Sequence, residues 1–410
     1  MTAAVIIAIC ALLLIAYVFD ITSSKTKVPS VILLLGLGIA VKEAVSFFGI
    51  DIPDLTPALP FLGAVGLILI VLEGTLELEL DKNRLPIIGK SLVVAIFPML
   101  LFSFGLAYFL YYFGYCSLKV GLANAIPLAV ISSAVAIPSM KHFPHLDREF
   151  VTYESSLSDI LGIIFFNFII LNEVINKASI IDFFSQLGII LLISILATMI
   201  LALLLKNIKH HVKFLPIIVL MMLIYQISEI YHLPSLVLIL MFGLVVGNID
   251  KLKNNKLIEK LHPEVLQKEV VKFKELTGEM AFLIRTLFFL LFGYLINLKE
   301  LFNLETLVWA IGIVAGIFLL RAIYLFIMRL PMQPLLFVAP RGLITILLFL
   351  TIPISQQIEV INSSLVIQVI IITSLMMILM KMKLKAKTKV NLEADISSVP
   401  DVNNTSAPTS

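Results

Sequence analysis

Apolar segments long enough to cross a lipid bilayer recur from one end of this chain to the other. Of its 410 residues, 60% are hydrophobic and 14% are charged, whereas soluble domains contain about 25% charged residues. A membrane helix needs about 20 largely apolar residues, and the chain therefore reads as an all-α polytopic membrane protein. We predict about thirteen transmembrane helices, at residues 3–17, 28–46, 58–77, 92–113, 118–140, 150–171, 183–205, 212–231, 236–249, 276–297, 304–328, 333–353 and 364–380. A count of twelve helices is the alternative, because span 236–249 is short and span 333–353 contains Pro340.

The basic residues lie mainly in every second loop. If the amino terminus is outside, the inner side collects most of the lysines and arginines, whereas the outer loops carry only Lys119, Lys177 and Lys299. Cytoplasmic loops of membrane proteins are enriched in Lys and Arg. We therefore predict a multi-pass protein of the plasma (inner) membrane with its carboxyl terminus in the cytoplasm. The net charge of +3 then reflects topology, and no nucleic-acid partner is expected.

Two predicted spans contain residues that interrupt helices. Span 118–140 carries Pro127 and Pro138 on either side of Ser132 and Ser133, and span 333–353 carries Pro340-Arg341-Gly342. Proline removes a backbone donor and glycine relaxes the chain, so each stretch is predicted to be unwound. The two spans are seven apart and run in opposite directions, as expected for inverted repeats whose broken helices cross near the bilayer midplane.

This symmetry divides the chain. Residues 1–182 form the first predicted repeat of six spans, 183–211 the connecting span, and 212–382 the second repeat of six spans. The second repeat includes a charged segment, 250–275, predicted to lie along the inner face. Residues 383–410 are predicted to be a disordered cytoplasmic tail, because their end is polar and poor in aromatic residues.

Several ionisable and polar residues fall at a similar depth inside the spans. With about 1.5 Å of rise per residue, Asp159, Ser132, Ser133, Arg285, Arg321 and Arg341 lie about 10–13 Å from the inner ends, and Glu73 and Glu154 about 6 Å. A charged residue inside a membrane helix marks a functional site by default. Ser155 shares a helix face with Asp159. Glu154 faces elsewhere, and its charge requires a cation, which we expect to be Arg321 or Arg341.

The segment Glu154-Ser-Ser-Leu-Ser-Asp159 resembles the Glu-x-x-x-Asn-Asp signature of monovalent cation:proton antiporters, the Na⁺/H⁺ exchanger superfamily, and most closely its NhaP-like electroneutral branch. The resemblance extends to Val28-Pro29-Ser30, Leu72-Glu73-Gly74, Leu319-Leu320-Arg321 and Pro340-Arg341-Gly342. The sequence departs from the family pattern at Ala134-Val135-Ala136, where Thr-Asp-Pro is usual, and at Ser158, where Asn is usual.

The resemblance implies that Asp159 binds Na⁺ and a proton alternately. Oxygen ligands would come from the cation- and proton-binding set of Ser132, Ser133, Ser155 and Ser158. It further implies an ion pair between Glu154 and Arg321, with Arg341 near the crossing of the broken helices, and a funnel acid at Glu73. Arg285 has no family role and is assigned as a gate charge or a residue snorkelling toward the lipid headgroups. Members of the family form homodimers, and no cofactor is expected beyond the transported ions.

A single buried carboxyl group sets the expected chemistry. Burial favours the neutral form of a carboxyl group, so a proton and a hard cation such as Na⁺, Li⁺ or K⁺ can replace one another there. Ser158 precedes Asp159 in place of a second acid, which predicts one-for-one electroneutral exchange by alternating access. K⁺/H⁺ exchange is the alternative, although this sequence shows no nucleotide-binding domain like that of K⁺-efflux relatives. An ion channel is a more distant alternative. An enzyme is not expected, since no buried His or Cys accompanies Asp159.

Overall fold

A computed structural model describes residues 2–26, 28–49, 53–78, 84–140, 143–172, 176–208, 213–231, 233, 235–251, 263–296 and 301–397. Regular structure within these residues is entirely helical. The helices are α1 Thr2–Thr26, α2 Ser30–Phe47, α3 Ala58–Glu77, α4 Leu85–Tyr112, α5 Leu118–Ala129, α6 Ser133–Ser139, α7 His145–Leu171, α8 Lys177–Asn207, α9 Phe214–Ile230, α10 Leu236–Gly247, α11 Pro263–Leu295, α12 Leu304–Ile327, α13 Leu343–Thr351 and α14 Ser363–Ser397. Two 3₁₀ turns, Leu335–Phe337 and Ile354–Gln356, flank α13.

The helices confirm the predicted all-α membrane fold. Within the described residues, nine helices are long and apolar enough to cross a bilayer, and three shorter apolar helices accompany them. Every predicted span coincides with one helix or with one interrupted pair. The third span matches α3 at both ends, whereas α4 begins at Leu85 and α7 at His145, several residues before the predicted starts. The extension of α7 is polar, and that of α4 contains Pro86, Gly89 and Lys90, so the hydropathy pattern alone does not locate these two helix starts.

Two predicted boundaries differ from the structure. Residues 263–275, predicted to belong to a charged segment between spans, are part of α11, a continuous helix of 33 residues. Similarly, α14 continues from the membrane span to Ser397, through the first part of the predicted disordered tail. Apart from Pro263, which is the first residue of α11 and lies where a helix tolerates proline, neither stretch contains a proline or glycine that would stop the helix. Residues 252–262, Lys299 and residues 398–410 lie outside the described part of the chain.

Helix packing produces two sets of contacts that meet at α7. One set consists of α2, α3 and α11, to which α10 and α8 are added. The other consists of α4, α5 and α7, with α12 packed beside α4 and α14 packed beside α12. Helix α3 also contacts α7, and α13 contacts both α3 and α5. Asp159 of α7 therefore lies where the two sets adjoin.

Both predicted unwound segments are present. Residues 130–132 are extended between α5 and α6, and residues 338–342 are extended between a 3₁₀ turn and α13. In the second segment the break coincides with Pro340 and Gly342, as predicted. In the first it does not coincide with a proline, since Pro127 lies inside α5 and Pro138 inside α6. The break falls instead at Val130 and Ile131, whose β-branched side chains favour extended backbone.

Candidate functional site

The two extended segments contact each other directly. The backbone N–H of Ser132 donates a 2.9 Å hydrogen bond to the carbonyl oxygen of Pro340. Gly342 lies against the same serine, and a Cβ atom at this position would be 2.8 Å from Ser132 Oγ. The absence of a side chain at Gly342 therefore permits the close approach. The buried charged residues Asp159, Arg321 and Arg341 all bind backbone groups at this crossing of the two interrupted helices.

Asp159 is buried beside this crossing, with its side chain directed toward the first extended segment. Its Oδ2 accepts a 3.1 Å hydrogen bond from the backbone N–H of Ser133, the first residue of α6. An exposed helix N-terminus carries partial positive charge and favours an anion. Within the described part of the chain, no group donates a hydrogen bond to the other oxygen, Oδ1. One carboxylate oxygen is thus held by the protein while the second remains available.

Ser158 and Ser155 have partners within the protein. Ser158 Oγ accepts a 3.0 Å hydrogen bond from the N–H of Ile131 and so holds the extended segment against α7. Ser155 Oγ donates a 2.7 Å hydrogen bond to the carbonyl oxygen of Val151, one turn earlier in α7. Direct ligation of a cation by these two serines stays a prediction. The structure gives Ser158 a role in positioning backbone and Ser155 a local bond along its own helix.

Glu154 and Arg321 form a buried ion pair between α7 and α12. The two guanidinium nitrogens of Arg321 donate to the two carboxylate oxygens of Glu154, the second at 2.8 Å. Arg321 also donates through Nε to the carbonyl oxygen of Leu335, at 2.9 Å, and through a terminal nitrogen to that of Val338, at 3.2 Å. The predicted partners are therefore brought together. The same arginine also satisfies carbonyl groups where the second interrupted helix unwinds.

Arg341 binds backbone carbonyls. Its guanidinium donates to the carbonyl oxygens of Leu128 at 2.8 Å, Ala129 at 3.0 Å and Ala339 at 2.8 Å. Leu128 and Ala129 are the last residues of α5, whose carbonyls lose their helical partners at the break. A cation is favourable at a helix C-terminus. Arg341 therefore stabilises the broken end of α5, on the opposite side of the break from Asp159.

A small cavity adjoins Asp159, and a larger, polar one opens beside the first turns of α4 and α7. The small cavity has a volume of about 10 Å³ and lies between α3, α6 and α7, with Ser133, Ser156 and Asp159 in its wall. The larger cavity has a volume of about 360 Å³ and is lined by polar residues that include Glu77, Arg84, Arg148, Glu149, Tyr153 and Lys274. Tyr153 of α7 directly precedes Glu154 and is the residue of this polar vestibule nearest in sequence to the buried ion pair.

Neither of the two predicted funnel or gate residues lines the small cavity at Asp159. Glu73 is half-buried on α3, where its Oε1 would lie 3.7 Å from a Cβ at Gly278 of α11. Arg285 is half-buried on α11, which packs on α2 and α3. Glu77, one turn after Glu73, lines the polar vestibule instead. The role of Glu73 and Arg285 in ion access stays a prediction.

Two residues at these cavities were not predicted from the sequence. Ser156 lines the cavity at Asp159. It lies three residues before the aspartate and therefore on the same face of the helix. Glu77 was overlooked because it lies at the polar end of α3. The available signal was helical spacing: i,i+3 from Ser156 to Asp159 and i,i+4 from Glu73 to Glu77.

A polytopic helical protein whose two interrupted helices cross beside a buried carboxylate has the architecture of a secondary transporter. Comparison with known families agrees: the model of the family described as the transmembrane sodium/hydrogen exchanger matches residues 9–385. The chain belongs to this family, and the resemblance seen in the sequence is confirmed. The family consists of transporters, in agreement with the prediction that the protein is not an enzyme.

Solved structures show the same fold. The sodium proton antiporter MjNhaP1 from Methanocaldococcus jannaschii, determined at pH 8, has a TM-score of 0.67 and 19% identity, over 93% of this chain and 99% of that one. A second structure of that antiporter, from an electron microscopy map, gives a TM-score of 0.66 and 19% identity over the whole of both chains. No curated protein sequence matched the chain.

Proposed function

We propose that this protein exchanges Na⁺ or Li⁺ for protons, one for one, with the cation and the proton competing for the carboxylate of Asp159. The observation that carries this proposal is the unequal hydrogen bonding of the two carboxylate oxygens. Oδ2 is fixed by the N–H of Ser133, whereas Oδ1 is buried without a hydrogen-bond donor from the described residues. A proton or a cation on Oδ1 would neutralise the group at the crossing of the interrupted helices.

The same arrangement explains obligatory exchange. An uncompensated carboxylate in a low-dielectric site is unfavourable, so the protein would reorient between the two sides of the membrane only with a proton or a cation bound. Either ligand neutralises one negative charge. The site thus carries the same charge in both directions, and transport through it is electroneutral.

The second acid of the motif does not alter this stoichiometry. Glu154 is 1% exposed and its charge is balanced by Arg321, which is 3% exposed. The guanidinium of Arg341 is held by three backbone carbonyls. Asp159 is consequently the one acid of this group without a partner cation, which favours one proton per cation.

Alternating access would follow from inverted repeats at residues 1–182 and 212–382. Each of these segments contains one interrupted helix, α5 with α6 in the first and the 3₁₀ turn with α13 in the second. We further propose a homodimer in the plasma membrane, with an external amino terminus and a cytoplasmic carboxyl terminus. The excess of basic residues on one side supports this orientation.

The test is cation-driven pH change in proteoliposomes that contain the purified protein, under Na⁺, Li⁺ and K⁺ gradients. We expect Na⁺ and Li⁺ to drive proton movement in the wild type and Asp159→Asn to abolish it. Asp147→Asn is the matched control, because Asp147 lies in the first turn of the same helix and outside the small cavity. Exchange driven by K⁺ alone would identify a K⁺/H⁺ antiporter.

Stoichiometry is tested by imposing a membrane potential on the same vesicles. Electroneutral exchange proceeds at a rate that does not depend on the potential. A rate that increases with potential would contradict one-for-one exchange. Cation flux without proton movement would indicate a channel, and full activity in Asp159→Asn would exclude this carboxylate as the site.

A further inference from the structure

Helix α3 closes the cavity at Asp159 from the side opposite the broken helix. Val71 and Gly74 of α3 face Ser156 and Asp159 of α7 across this cavity, and Ser133 forms its third side. Ser156 is 4% exposed and Asp159 is 2% exposed. The wall therefore combines one carboxylate with hydroxyl groups in an otherwise apolar environment.

Two oxygen atoms in this cavity are buried and lack partners. Ser156 Oγ and Asp159 Oδ1 form no hydrogen bond with any other described residue. Buried polar groups in proteins are normally paired, and an exception calls for a specific explanation. Since both atoms belong to residues that line the same small space, a single bound ligand could satisfy both.

The size of the cavity restricts that ligand. Its volume of about 10 Å³ is close to the lower limit for a single water molecule. A hydrated ion does not fit, and a cation entering this space must exchange its water ligands for protein oxygens. Carboxylate and hydroxyl oxygens are suitable ligands for a hard cation.

We propose that Ser156 Oγ is a direct ligand of the transported cation, together with Asp159 Oδ1, and that α3 at Gly74 limits the site to small cations. This assignment rests on the proposed antiport function and deepens it by naming a ligand and a determinant of selectivity. The site favours Na⁺ and Li⁺ over K⁺ because the larger ion would displace α3.

Ser155 is the competing candidate, and the structure separates the two serines. Ser155 Oγ already donates to the carbonyl oxygen of Val151, and Ser155 does not line the cavity. Ser156 is on the side of α7 that faces α3, where a Cβ at Gly74 would lie 3.4 Å from its oxygen. The geometry thus assigns ligation to the serine three residues before the aspartate.

The proposal is tested by kinetics in proteoliposomes. Ser156→Ala is expected to raise the KM for Na⁺ roughly tenfold, the cost of losing one oxygen from a charged ligand set, with little change in maximal rate. The pH at which the KM for Na⁺ begins to rise should stay the same, since the proton binds Asp159 alone. A purely structural defect would lower the maximal rate instead. Ser156→Cys keeps the shape of the side chain but replaces the hydroxyl by a larger thiol, a soft and weak acceptor, so it should behave like Ser156→Ala.

Ser194→Ala provides the matched control. Ser194 is also buried, and its hydroxyl also lacks a partner among the described residues, but it lies on α8. Its removal should leave the KM unchanged. A second readout is stabilisation of the purified protein by Na⁺, measured as the shift in Tm between NaCl and choline chloride. Ligand binding raises Tm, and at a fixed Na⁺ concentration the shift should shrink in Ser156→Ala and persist in Ser194→Ala.

Gly74→Ala tests the role of α3. The added Cβ makes ordinary van der Waals contact with Ser156 Oγ at 3.4 Å, so the fold is retained while the cavity becomes smaller. We expect the ratio of Li⁺ to Na⁺ transport efficiency to rise. An unchanged ratio would overturn the assignment of selectivity to α3.

The outcomes separate this proposal from the function on which it rests. No exchange in the wild type with any cation would refute the antiport function itself. Normal exchange in the wild type, with an unchanged KM in both Ser156 variants, would refute only the ligand assignment. A raised KM in Ser155→Ala but not in Ser156→Ala would transfer the assignment to Ser155.

Discussion

The guanidinium of Arg321 donates to both carboxylate oxygens of Glu154, and this buried pair joins α12 to α7. Arg321 also donates to the carbonyl oxygens of Leu335 and Val338, which lie in the interrupted segment after α12. The pair therefore links the helix that carries Asp159 to the second broken helix. The charge on Glu154 is therefore balanced locally by Arg321.

Breaking this pair should destabilise the protein strongly. Glu154→Gln leaves a buried guanidinium without its counterion, for which we expect a loss of about 3–5 kcal/mol in the free energy of unfolding. Arg321→Gln should be worse, because two carbonyl groups lose their donor as well. Chemical denaturation of the purified protein measures both changes. In the double variant the losses should be less than additive, and strict additivity would show that the two residues do not interact.

Substitution of Arg341 tests whether the broken end of α5 needs a guanidinium group or only a positive charge. Arg341→Lys keeps the charge but cannot reach all three carbonyl oxygens at once. Each buried carbonyl left unpaired costs about 1–3 kcal/mol, so a lower Tm and a reduced maximal rate are expected. The control is Arg329→Lys, because Arg329 is exposed in the loop after α12. Wild-type behaviour of Arg341→Lys would mean that charge alone is sufficient.

Gly162 of α7 lets the first extended segment approach the helix. A Cβ at Gly162 would overlap the side chain of Val130, so Gly162→Ala should cost about 1–3 kcal/mol through overpacking and should slow transport. Adding Val130→Ala to the Gly162→Ala variant should restore much of the stability and much of the transport rate. Gly188→Ala on α8 is the matched control, since its Cβ would meet no atom within 4 Å. Failure of Val130→Ala to rescue would place the defect elsewhere.

Competition between ions at one carboxylate predicts the pH dependence of transport. As the pH falls, a larger fraction of Asp159 is protonated, so the apparent KM for Na⁺ rises while the maximal rate at saturating Na⁺ stays constant. Once protonation dominates, each decrease of one pH unit should raise this KM about tenfold, because a single proton competes with the cation. Initial rates of ²²Na⁺ uptake across a pH series measure the slope. A hundredfold change per unit would indicate two protons and contradict the proposed stoichiometry.

Much of the architecture was predictable because it depends on local patterns. Hydropathy located the thirteen spans, and the pairing of a buried acid with a buried arginine anticipated the contact between Glu154 and Arg321. The pattern was less informative at helix ends, where α11 and α14 continue through polar residues. Sequence also located the first break near two prolines, whereas the structure has it at residues 130–132.

The sequence by itself determined the medium, the helices and the presence of an acid, Asp159, inside one of them, since each is read from the cost of placing polar groups in hydrocarbon. Only the tertiary structure decided which groups meet at the site. The bond from Ser132 to Pro340, the capping of α5 by Arg341 and the cavity between Ser156 and Gly74 all join residues far apart in sequence. Helical periodicity gives the direction of a side chain relative to its own helix. The partner that it meets depends on how the helices cross, and that is set by packing across the whole bundle.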